Sequence, residues 1–260
     1  MAIERLILSH KRAGQVKTHL HIPDCKLVVP ESQADDYAKH HPGVELVTHP
    51  DSVVGIWAKR QWCWERFGSQ MQFDDEFVGF YRCYRTQGSW KKPALGPERA
   101  VELIEATADR ARKLGAYLFG FGHHIKPEWY DGFKPFRFGR YTRSGALGLL
   151  EGGKFWWPTD VTLGDGDDYW ICLLNAHYHR YAFFDRRFCA HFDDFYDPDN
   201  PPTGGLEEFR TEDELEDEAT TFLQRHFGRE VIYVPFDTVK DGHGQTVMAT
   251  RRRIDLPYRA

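Results

Sequence analysis

Residues 54–77 set the fold and read VGIWAKRQWCWERFGSQMQFDDEF. Over residues 54–67 the apolar side chains recur at helical spacing, and Gly68 stands at a position where helices commonly end. The next run, residues 70–73, has the length and composition of a short strand. Three consecutive carboxylates follow this strand, namely Asp74, Asp75 and Glu76. The segment therefore predicts a helix and a strand that lead into an acidic turn.

The residues before this segment alternate between strand-like and helix-like patterns. Residues 5–9, 26–30 and 45–48 are β-rich, and an amphipathic stretch at 32–40 lies between the last two. Strands that alternate with helices favour βαβ units, in which the strands pair in parallel. We therefore predict a parallel sheet for the first part of the chain.

The residues after the acidic turn predict a mixed arrangement. A helix opens at Gly96-Pro97, with proline at a tolerated first-turn position, and ends near Gly115. Short apolar runs predict strands at 117–121, 137–141, 146–150 and 231–234, and helical spacing predicts helices at 169–177 and 212–227. The sequence thus predicts one α/β domain over residues 1–260. Its expected form is a Rossmann-like, mostly parallel sheet flanked by helices, with a mixed-sheet C-terminal half.

Composition argues against several classes of protein. The chain has 260 residues, 41% of them hydrophobic, and no apolar run long enough to span a bilayer. Its five cysteines form no C-x-x-C pair, which argues against a disulfide framework and a zinc knuckle. The N-terminus lacks the basic and long apolar regions of a secretory signal. We therefore expect a cytoplasmic protein with reduced cysteines and no membrane partner.

The acidic triplet predicts a metal site. Three like charges in sequence repel one another unless a cation joins them. Mn²⁺ and Mg²⁺ prefer oxygen ligands and commonly take one or two protein carboxylates, leaving positions for phosphate oxygens of a substrate. Open α/β sheets bind ligands beyond the carboxyl ends of their strands, which is where this triplet is predicted to lie. The alternative is an acidic surface loop without a ligand.

Two basic pairs could line the same crevice as the acidic triplet. Ser9, His10, Lys11 and Arg12 follow the first predicted strand, and Lys59-Arg60 lies on the helix before the acidic turn. Arginine offers a planar fork to a diphosphate and lysine a point charge. The alternative for the first group is a solvated turn. Convergence of both pairs with the triplet would indicate a phosphate-binding site.

These motifs, in this order along the chain, resemble the nucleotide-sugar half of GT-A glycosyltransferases. Within that class the sequence is most similar to the TET-associated glycosyltransferases of bacteriophages. The resemblance is clear over roughly the first ninety residues and looser beyond them. It implies a donor half at residues 1–90 and an acceptor half at 91–260. It also implies transfer of a sugar from a UDP-sugar to 5-hydroxymethylcytosine in phage DNA, with Mn²⁺ or Mg²⁺, after a TET-like dioxygenase has made that base.

The resemblance assigns expected roles to residues of the first half. Asp74 and Glu76 become the outer members of a D-x-D-like motif and the expected metal ligands, with Glu76 standing where the family more often has aspartate. Asp75 between them is expected to contribute to donor binding. The residues expected beside the nucleotide are Ser9, His10 and Arg12, those near the uracil or ribose are Pro30 and Glu31, and those near the diphosphate are Lys59 and Arg60.

A second acidic segment, residues 160–168, resembles the position of the catalytic base in inverting GT-A enzymes. Its candidates are Asp165, Asp167 and Asp168, with Asp168 first because it lies nearest the start of the predicted helix. Such a carboxylate would accept the proton of the acceptor hydroxyl as that oxygen attacks the anomeric carbon. The alternative is a capped loop whose aspartates satisfy backbone amides. A retaining mechanism would not need this base.

Some further residues have weaker signals. His191 is the histidine expected to return to the metal as a third ligand, whereas His123-His124 and His177 with His179 have only a suggestive spacing. For a DNA acceptor, phosphate contacts would supply most of the affinity. The basic candidates are Arg137, Arg140, Arg143 and Arg251 to Arg253, and the possible stacking residues are Trp156 and Trp157.

Other functions use the same residues. A GT-A enzyme with a saccharide or small-molecule acceptor would share the donor site. A metal-dependent phosphohydrolase or nuclease would use the carboxylates with two ions and would need acidic partners on neighbouring strands. A nucleotide-binding module without catalysis is a further alternative. The residues of the donor site by themselves do not separate these functions.

Overall fold

The computed structural model describes residues 2–84, 94–122, 130–139, 141–143, 145–161, 163, 166–192, 212–233, 236–240, 246–250 and 253–254. Its helices are α1 (Ala34–His40), α2 (Gly55–Phe67), α3 (Pro97–Lys113), α4 (Asp167–His179) and α5 (Glu212–Phe227). Its strands are β1 (Glu4–Leu8), β2 (Lys26–Pro30), β3 (Glu45–His49), β4 (Gln70–Asp74), β5 (Phe77–Arg82), β6 (Leu118–Gly122), β7 (Phe136–Gly139), β8 (Ala146–Leu149), β9 (Ala182–Phe192), β10 (Ile232–Tyr233), β11 (Phe236–Lys240), β12 (Thr246–Thr250) and β13 (Arg253–Ile254).

The described strands β1 to β9 form one sheet in the order β3-β2-β1-β4-β8-β6-β9-β5, with β7 paired to β9. Strand β1 pairs in parallel with β2 and β4, and β2 pairs in parallel with β3. Strands β8, β5 and β7 run antiparallel to their neighbours, while β6 and β9 are parallel to each other. The predicted fold class is confirmed, because the sheet is mostly parallel and its antiparallel strands lie beyond β4.

Helices cover both faces of the sheet because successive strand residues point to opposite sides. On β1, Ile7 packs into the larger core cluster with Tyr37 of α1 and the apolar face of α3. Its neighbours Leu6 and Leu8 pack on the other face against Cys63 of α2. Helix α4 packs on this second face through a cluster that also contains Trp57 and Leu147.

The structure departs from the predictions mainly in the second half of the chain. Strands β5 and β9 and the hairpin β11–β12 were not predicted, because charged residues such as Asp185 and Arg187 interrupt the apolar pattern of β9. Helix α4 begins earlier and ends later than predicted. The 3₁₀ turn Glu31–Gln33 takes up the predicted start of α1.

Two further predictions concern the state of the cysteines and the absence of a membrane-spanning segment. All five cysteines are buried and free, as expected. None of the described helices combines the length and the hydrophobicity that crossing a bilayer requires.

Gly148 of β8 allows a close contact with the aromatic ring of Phe119 on β6. A Cβ at this glycine would lie 2.4 Å from the Phe119 ring, inside any real contact distance. We expect Gly148→Ala to lower the free energy of unfolding by about 1–3 kcal/mol, because the ring must shift within a packed core. Urea unfolding measures the effect. Gly132→Ala, where the nearest atom is 3.8 Å away, should change it by less than about 0.5 kcal/mol, and equal losses in both variants would contradict the prediction.

Candidate active site

The acidic turn lies at the carboxyl edge of the parallel strands. Asp74 is the last residue of β4 and pairs in register with Leu8, so the end of β1 lies beside it. Asp75 and Glu76 form the turn into β5. The hydroxyl of buried Thr18 lies 3.0–3.1 Å from the carbonyl oxygens of Asp74, Asp75 and Phe77 and holds the turn from beneath. The predicted position at a strand end is therefore observed.

The middle carboxylate, Asp75, points into the protein. It is 5% exposed, and its Oδ2 accepts a hydrogen bond of 2.6 Å from the Ser9 hydroxyl. Because Ser9 uses its proton there, the hydroxyl of Tyr37, 2.7 Å away, donates to Ser9 Oγ and accepts from the Arg12 amide at 3.0 Å. Asp75 thus ties the segment after β1 to the acidic turn. The nucleotide contact expected of Ser9 stays a prediction, since the Ser9 side chain is committed to Asp75 here.

The outer carboxylates, Asp74 and Glu76, are partly open to solvent, with side chains 36% and 32% exposed. Asp74 Oδ1 lies 3.1 Å from Arg60 Nη2, and Glu76 Oε1 lies 2.7 Å from Arg12 Nη1. Burial raises the pKa of Asp74 and of Glu76, and the neighbouring arginines oppose this rise. The arginines therefore offset much of the repulsion within the triplet, and one face of each outer acid remains accessible.

The two cations of α2 lie beneath this site. Arg60 is 1% exposed and donates to Asp74, to Gln72 Oε1 at 2.9 Å and to Asp167 Oδ2 at 2.6 Å. Lys59 Nζ donates to the Ser9 carbonyl at 2.6 Å, and burial lowers the pKa of Lys59 to about 8. Both side chains thus support the turn and the end of β1. The diphosphate contact expected of Lys59 and Arg60 is not tested by these contacts, although all three nitrogens of the buried Arg60 guanidinium already donate to protein partners.

The first turn of α4 brings the second acidic segment to the same place. Gly166 precedes the helix with a positive φ of 85°, and Asp167 and Asp168 follow it. The amide dipoles of a helix N-terminus favour negative charge at these two positions. Asp167 is paired with Arg60, whereas Asp168 Oδ2 accepts a hydrogen bond of 2.5 Å from the Tyr141 hydroxyl. The third predicted base, Asp165, lies outside the described residues.

The predicted nucleotide residues lie along the same edge of the sheet. Pro30 is the buried last residue of β2, and Glu31 after it is exposed. His10 is exposed, and its Nδ1 lies 3.2 Å from the Gln33 side-chain amide. These positions surround the carboxyl ends of β1 and β2. Their contact with a uracil or ribose stays a prediction.

His191 lies on β9, which pairs with β5 directly after the acidic turn. It is in register with Gly79, and its ring centroid lies 5.1 Å from that of Tyr81. Within the described part of the chain, no three or more histidine, cysteine, aspartate or glutamate side chains are grouped to hold a metal ion. The role of His191 as a third ligand stays a prediction.

The residues expected to contact DNA are distributed unevenly. Trp157 is 2% exposed and its indole donates to the Asp167 carbonyl at 3.3 Å, so it packs rather than offering a stacking face. Trp156 is 42% exposed, and Arg137 and Arg143 are exposed. Arg140, Arg251 and Arg252 lie outside the described residues, and so do His123 and His124, whose spacing suggested a metal site rather than a DNA contact.

Four residues that hold the site were not predicted: Thr18, Tyr37, Gln72 and Tyr141. Each acts through a partner on another element, as Gln72 does with Arg60, 12 residues earlier, and Tyr141 with Asp168, 27 residues further on. No motif in the sequence marks such a pair. A buried tyrosine hydroxyl or threonine hydroxyl near a strand end is an ordinary core feature until the partner is known.

His19, next to Thr18, makes the loop before β2 sensitive to acid. Burial lowers the pKa of His19, the nearby His41 ring lowers it further, and burial also lowers the pKa of His49. As the pH falls, the unfolded chain therefore binds protons at His19 and His49 at a higher pH than the folded chain does. We expect the free energy of unfolding to be unaffected by them above about pH 6.5, the ordinary histidine pKa, and to fall as the pH drops below it.

Chemical unfolding at pH 7.5, 6.5 and 5.5 tests this dependence. In His19→Gln the decrease between pH 6.5 and 5.5 should be smaller, because one of the titrating groups is gone. An unchanged decrease would show that His19 is not among the groups responsible.

Comparison with known proteins first identifies the class of enzyme. Residues 5–190 match the family model described as TET-Associated Glycosyltransferase. This match spans more than half of the 260-residue chain. The protein is therefore a glycosyltransferase, an enzyme that uses a nucleotide-sugar donor. More particularly, it belongs to the TET-Associated Glycosyltransferase family.

Similarity to curated proteins and to solved structures leaves this family assignment unchanged. No curated protein matches the chain. One similar solved structure is titled "Crystal Structure of a Mycobacterial Protein"; it is 7% identical, with a TM-score of 0.49, and the match covers 96% of this chain and 83% of that one.

Proposed function

We propose that this enzyme transfers a sugar from a UDP-sugar to the hydroxyl of 5-hydroxymethylcytosine in DNA, with a divalent metal ion. Family membership supports sugar transfer, and the family's name supports a base made by a TET-like dioxygenase. The observation that carries the proposal is the shared contact of Arg60 with Asp74 and Asp167. This contact brings the acidic turn at Asp74, where the donor diphosphate would bind, next to the start of α4 at Asp167, where the acceptor would be deprotonated.

The residues present fit a divalent cation such as Mn²⁺ or Mg²⁺. Asp74 and Glu76 each use one carboxylate oxygen for an arginine, and both side chains are about one-third exposed. Hard cations of this kind are commonly held by one or two carboxylates together with phosphate oxygens of the substrate, so a closed cage of protein ligands is not required. Asp74 and Glu76 are the proposed ligands, and His191, which is not grouped with them in the described part of the chain, stays the expected third ligand. A bound cation would supply charge stabilisation to the departing diphosphate.

The remaining residues of the donor half position these carboxylates. Arg12 bridges Asp75 and Glu76, with Nη1 at 3.3 and 2.7 Å from their oxygens. Its backbone amide donates to the Tyr37 hydroxyl, and the two ion pairs hold its guanidinium beside the acidic turn. A UDP group at the ends of β1 and β2 would meet His10, Pro30 and Glu31, and the expected nucleotide contacts of Ser9 and Arg12 stay part of the proposal. We propose that residues 1–90 bind the donor in this way and that residues 91–260 bind the acceptor.

Asp168 is the proposed general base. Its carboxylate is held on one side by the Tyr141 hydroxyl and on the other by the Tyr169 amide at 2.7 Å. These two hydrogen bonds fix the orientation of the carboxylate, which accepts a proton in its ionised form. Asp168 would take the proton of the acceptor hydroxyl as that oxygen attacks the anomeric carbon, and the diphosphate would leave with the electron pair of the glycosidic bond.

A base within DNA reaches such a site only when it leaves the stack. Trp156 offers a partly exposed ring whose centroid lies 4.8 Å from that of Trp170 in the first turn of α4, and Arg143 is an exposed cation. Aromatic stacking and phosphate contacts are the usual means of holding an extruded nucleotide. A DNA acceptor would place the reaction in the cytoplasm of the host cell. The alternative acceptor is a saccharide or another small molecule.

Mass spectrometry of the products tests the donor and the acceptor together. The protein and Mn²⁺ are incubated with UDP-glucose, UDP-galactose or their N-acetylated forms and with DNA that contains 5-hydroxymethylcytosine, which is then digested to nucleosides. We expect a hexose or N-acetylhexosamine increment on that nucleoside and none on DNA with cytosine or 5-methylcytosine. Transfer to oligosaccharides but not to any DNA would overturn the DNA acceptor in favour of the alternative.

A further inference from the structure

We propose that Arg60 is a positioning residue that sets the distance between the donor-side carboxylate Asp74 and the base Asp168. The proposal rests on the function proposed above. Arg60 reaches Asp168 through its neighbour Asp167, which it holds directly. The residue would thus align the leaving group and the base without touching either substrate.

Arg60 links three separate elements of the fold. The residue itself lies on α2, Gln72 and Asp74 lie on β4, and Asp167 is the first residue of α4. Its Nη1, Nη2 and Nε atoms donate to these three partners at 2.9, 3.1 and 2.6 Å. Because a guanidinium is planar and its donors point in fixed directions, these contacts fix the relative directions of the three partners. Lysine, with a single nitrogen, could not do this.

Burial makes this arrangement rigid. The Arg60 and Asp167 side chains are 1% and 8% exposed, so water competes little for their hydrogen bonds. The Gln72 amide is itself held, since its Nε2 donates to Gln70 Oε1 at 2.9 Å. On the other side, the Asp167 carbonyl accepts from the Trp157 indole. The start of α4 is therefore fixed both through its side chain and through its backbone.

The same contacts divide the roles of the two aspartates. Asp167 is the buried counter-ion of Arg60, and a carboxylate used in this way is poorly placed to collect a proton. Asp168 follows it directly in the first turn of the helix, where the position of one residue sets that of the next. Since a misplacement of about 1 Å can cost roughly a hundredfold in rate, weakening the Arg60–Asp167 pair should reduce transfer through Asp168.

A double-mutant cycle tests the proposal with the full-length protein. Arg60→Lys keeps the charge but loses the fork, and Asp167→Asn keeps the shape but loses the charge. We expect each to lower kcat for transfer by about 10- to 100-fold, with the donor KM of Asp167→Asn within about threefold of wild type. The kcat of the double variant should lie no more than about threefold below that of the less active single variant, because both substitutions weaken the same Arg60–Asp167 interaction.

Asp185→Asn is the matched control for lost stability. Asp185 is fully buried and paired with Arg187 at 2.6 and 2.9 Å, so its loss should destabilise the fold comparably. It lies about seven residues before the end of β9, roughly 23 Å along the strand from the acidic turn. We expect its kcat for transfer to stay within about threefold of wild type at a temperature where all variants are folded.

Three results would overturn the positioning role. The first is a loss of kcat in the double variant equal to the product of the two single losses. The second is a loss of kcat in Asp185→Asn as large as that in the Arg60 and Asp167 variants. The third is a donor KM raised more than tenfold in Arg60→Lys while Asp167→Asn shows no loss of kcat. The last would indicate a direct diphosphate contact. Failure of the proposed function is a separate result, because it would appear as absent transfer to DNA by the wild type, and the cycle can then be measured with whichever acceptor the wild type uses.

Discussion

Asp74→Asn is expected to lower kcat/KM for sugar transfer by about 100- to 1,000-fold, the range seen when one group that stabilises transition-state charge is removed. The variant loses the negative charge through which the turn would hold a cation against the diphosphate. It should still fold, because the asparagine oxygen can accept the Arg60 hydrogen bond that Asp74 Oδ1 now accepts at 3.1 Å. Steady-state transfer assays and a thermal unfolding curve measure the two effects.

Ligand-induced stabilisation separates this cause from a general loss of activity. Mn²⁺ with UDP should raise the melting temperature of the wild type, since a ligand that binds only the folded state stabilises it. The increase should disappear in Asp74→Asn and persist in Asp109→Asn, which removes an exposed carboxylate on α3 paired with Lys113. Asp74 would be excluded as a ligand if its variant kept the full increase.

Asp168→Asn is expected to lower kcat for transfer by about 100- to 10,000-fold, the usual contribution of general base catalysis. The donor KM should remain within about threefold of wild type, because Asp168 lies on the acceptor side. The Tyr141 hydroxyl keeps a partner in the asparagine oxygen, so the fold should be retained. Steady-state kinetics with DNA containing 5-hydroxymethylcytosine give both constants.

The configuration of the product provides the decisive check on Asp168. An inverting reaction needs a base at this position, whereas a retaining reaction does not. Loss of kcat together with an inverted anomeric centre, determined by NMR of the released nucleoside, would support the assignment. Near-normal kcat in Asp168→Asn with a retained centre would remove Asp168 from the mechanism.

Much of the sheet could be predicted from the sequence because its signals are local. The helical spacing before Gly68 and the short apolar run after it predicted α2 and β4 within one residue of their observed ends. Strands β5 and β9 were missed because they pair with each other across about a hundred residues, and the pairing tolerates charged residues that break the alternating pattern. Local periodicity carries no information about such a partner.

The candidate site was likewise predicted only in part. The acidic turn was predicted at the carboxyl edge of the sheet, and the structure places it there, because parallel strands bring their carboxyl ends to one side. The burial of Lys59 and Arg60 was not predicted. On a helix surface a Lys-Arg pair looks like a phosphate contact, and only the position of Asp167, 107 residues away, makes Arg60 an internal link.

The amino-acid sequence alone determines most of the helices and strands, from β1 to α3 with the exception of β5, and the chemical types of the groups that gather at the sheet edge. It does so because helix and strand periods, glycine ends and consecutive charges act over a few neighbouring residues. The tertiary structure alone decides which of these charges face solvent and which neutralise one another. The reason is that a buried ion pair is stable only when both partners and their hydrogen bonds are assembled, and for Arg60 those partners come from β4 and α4.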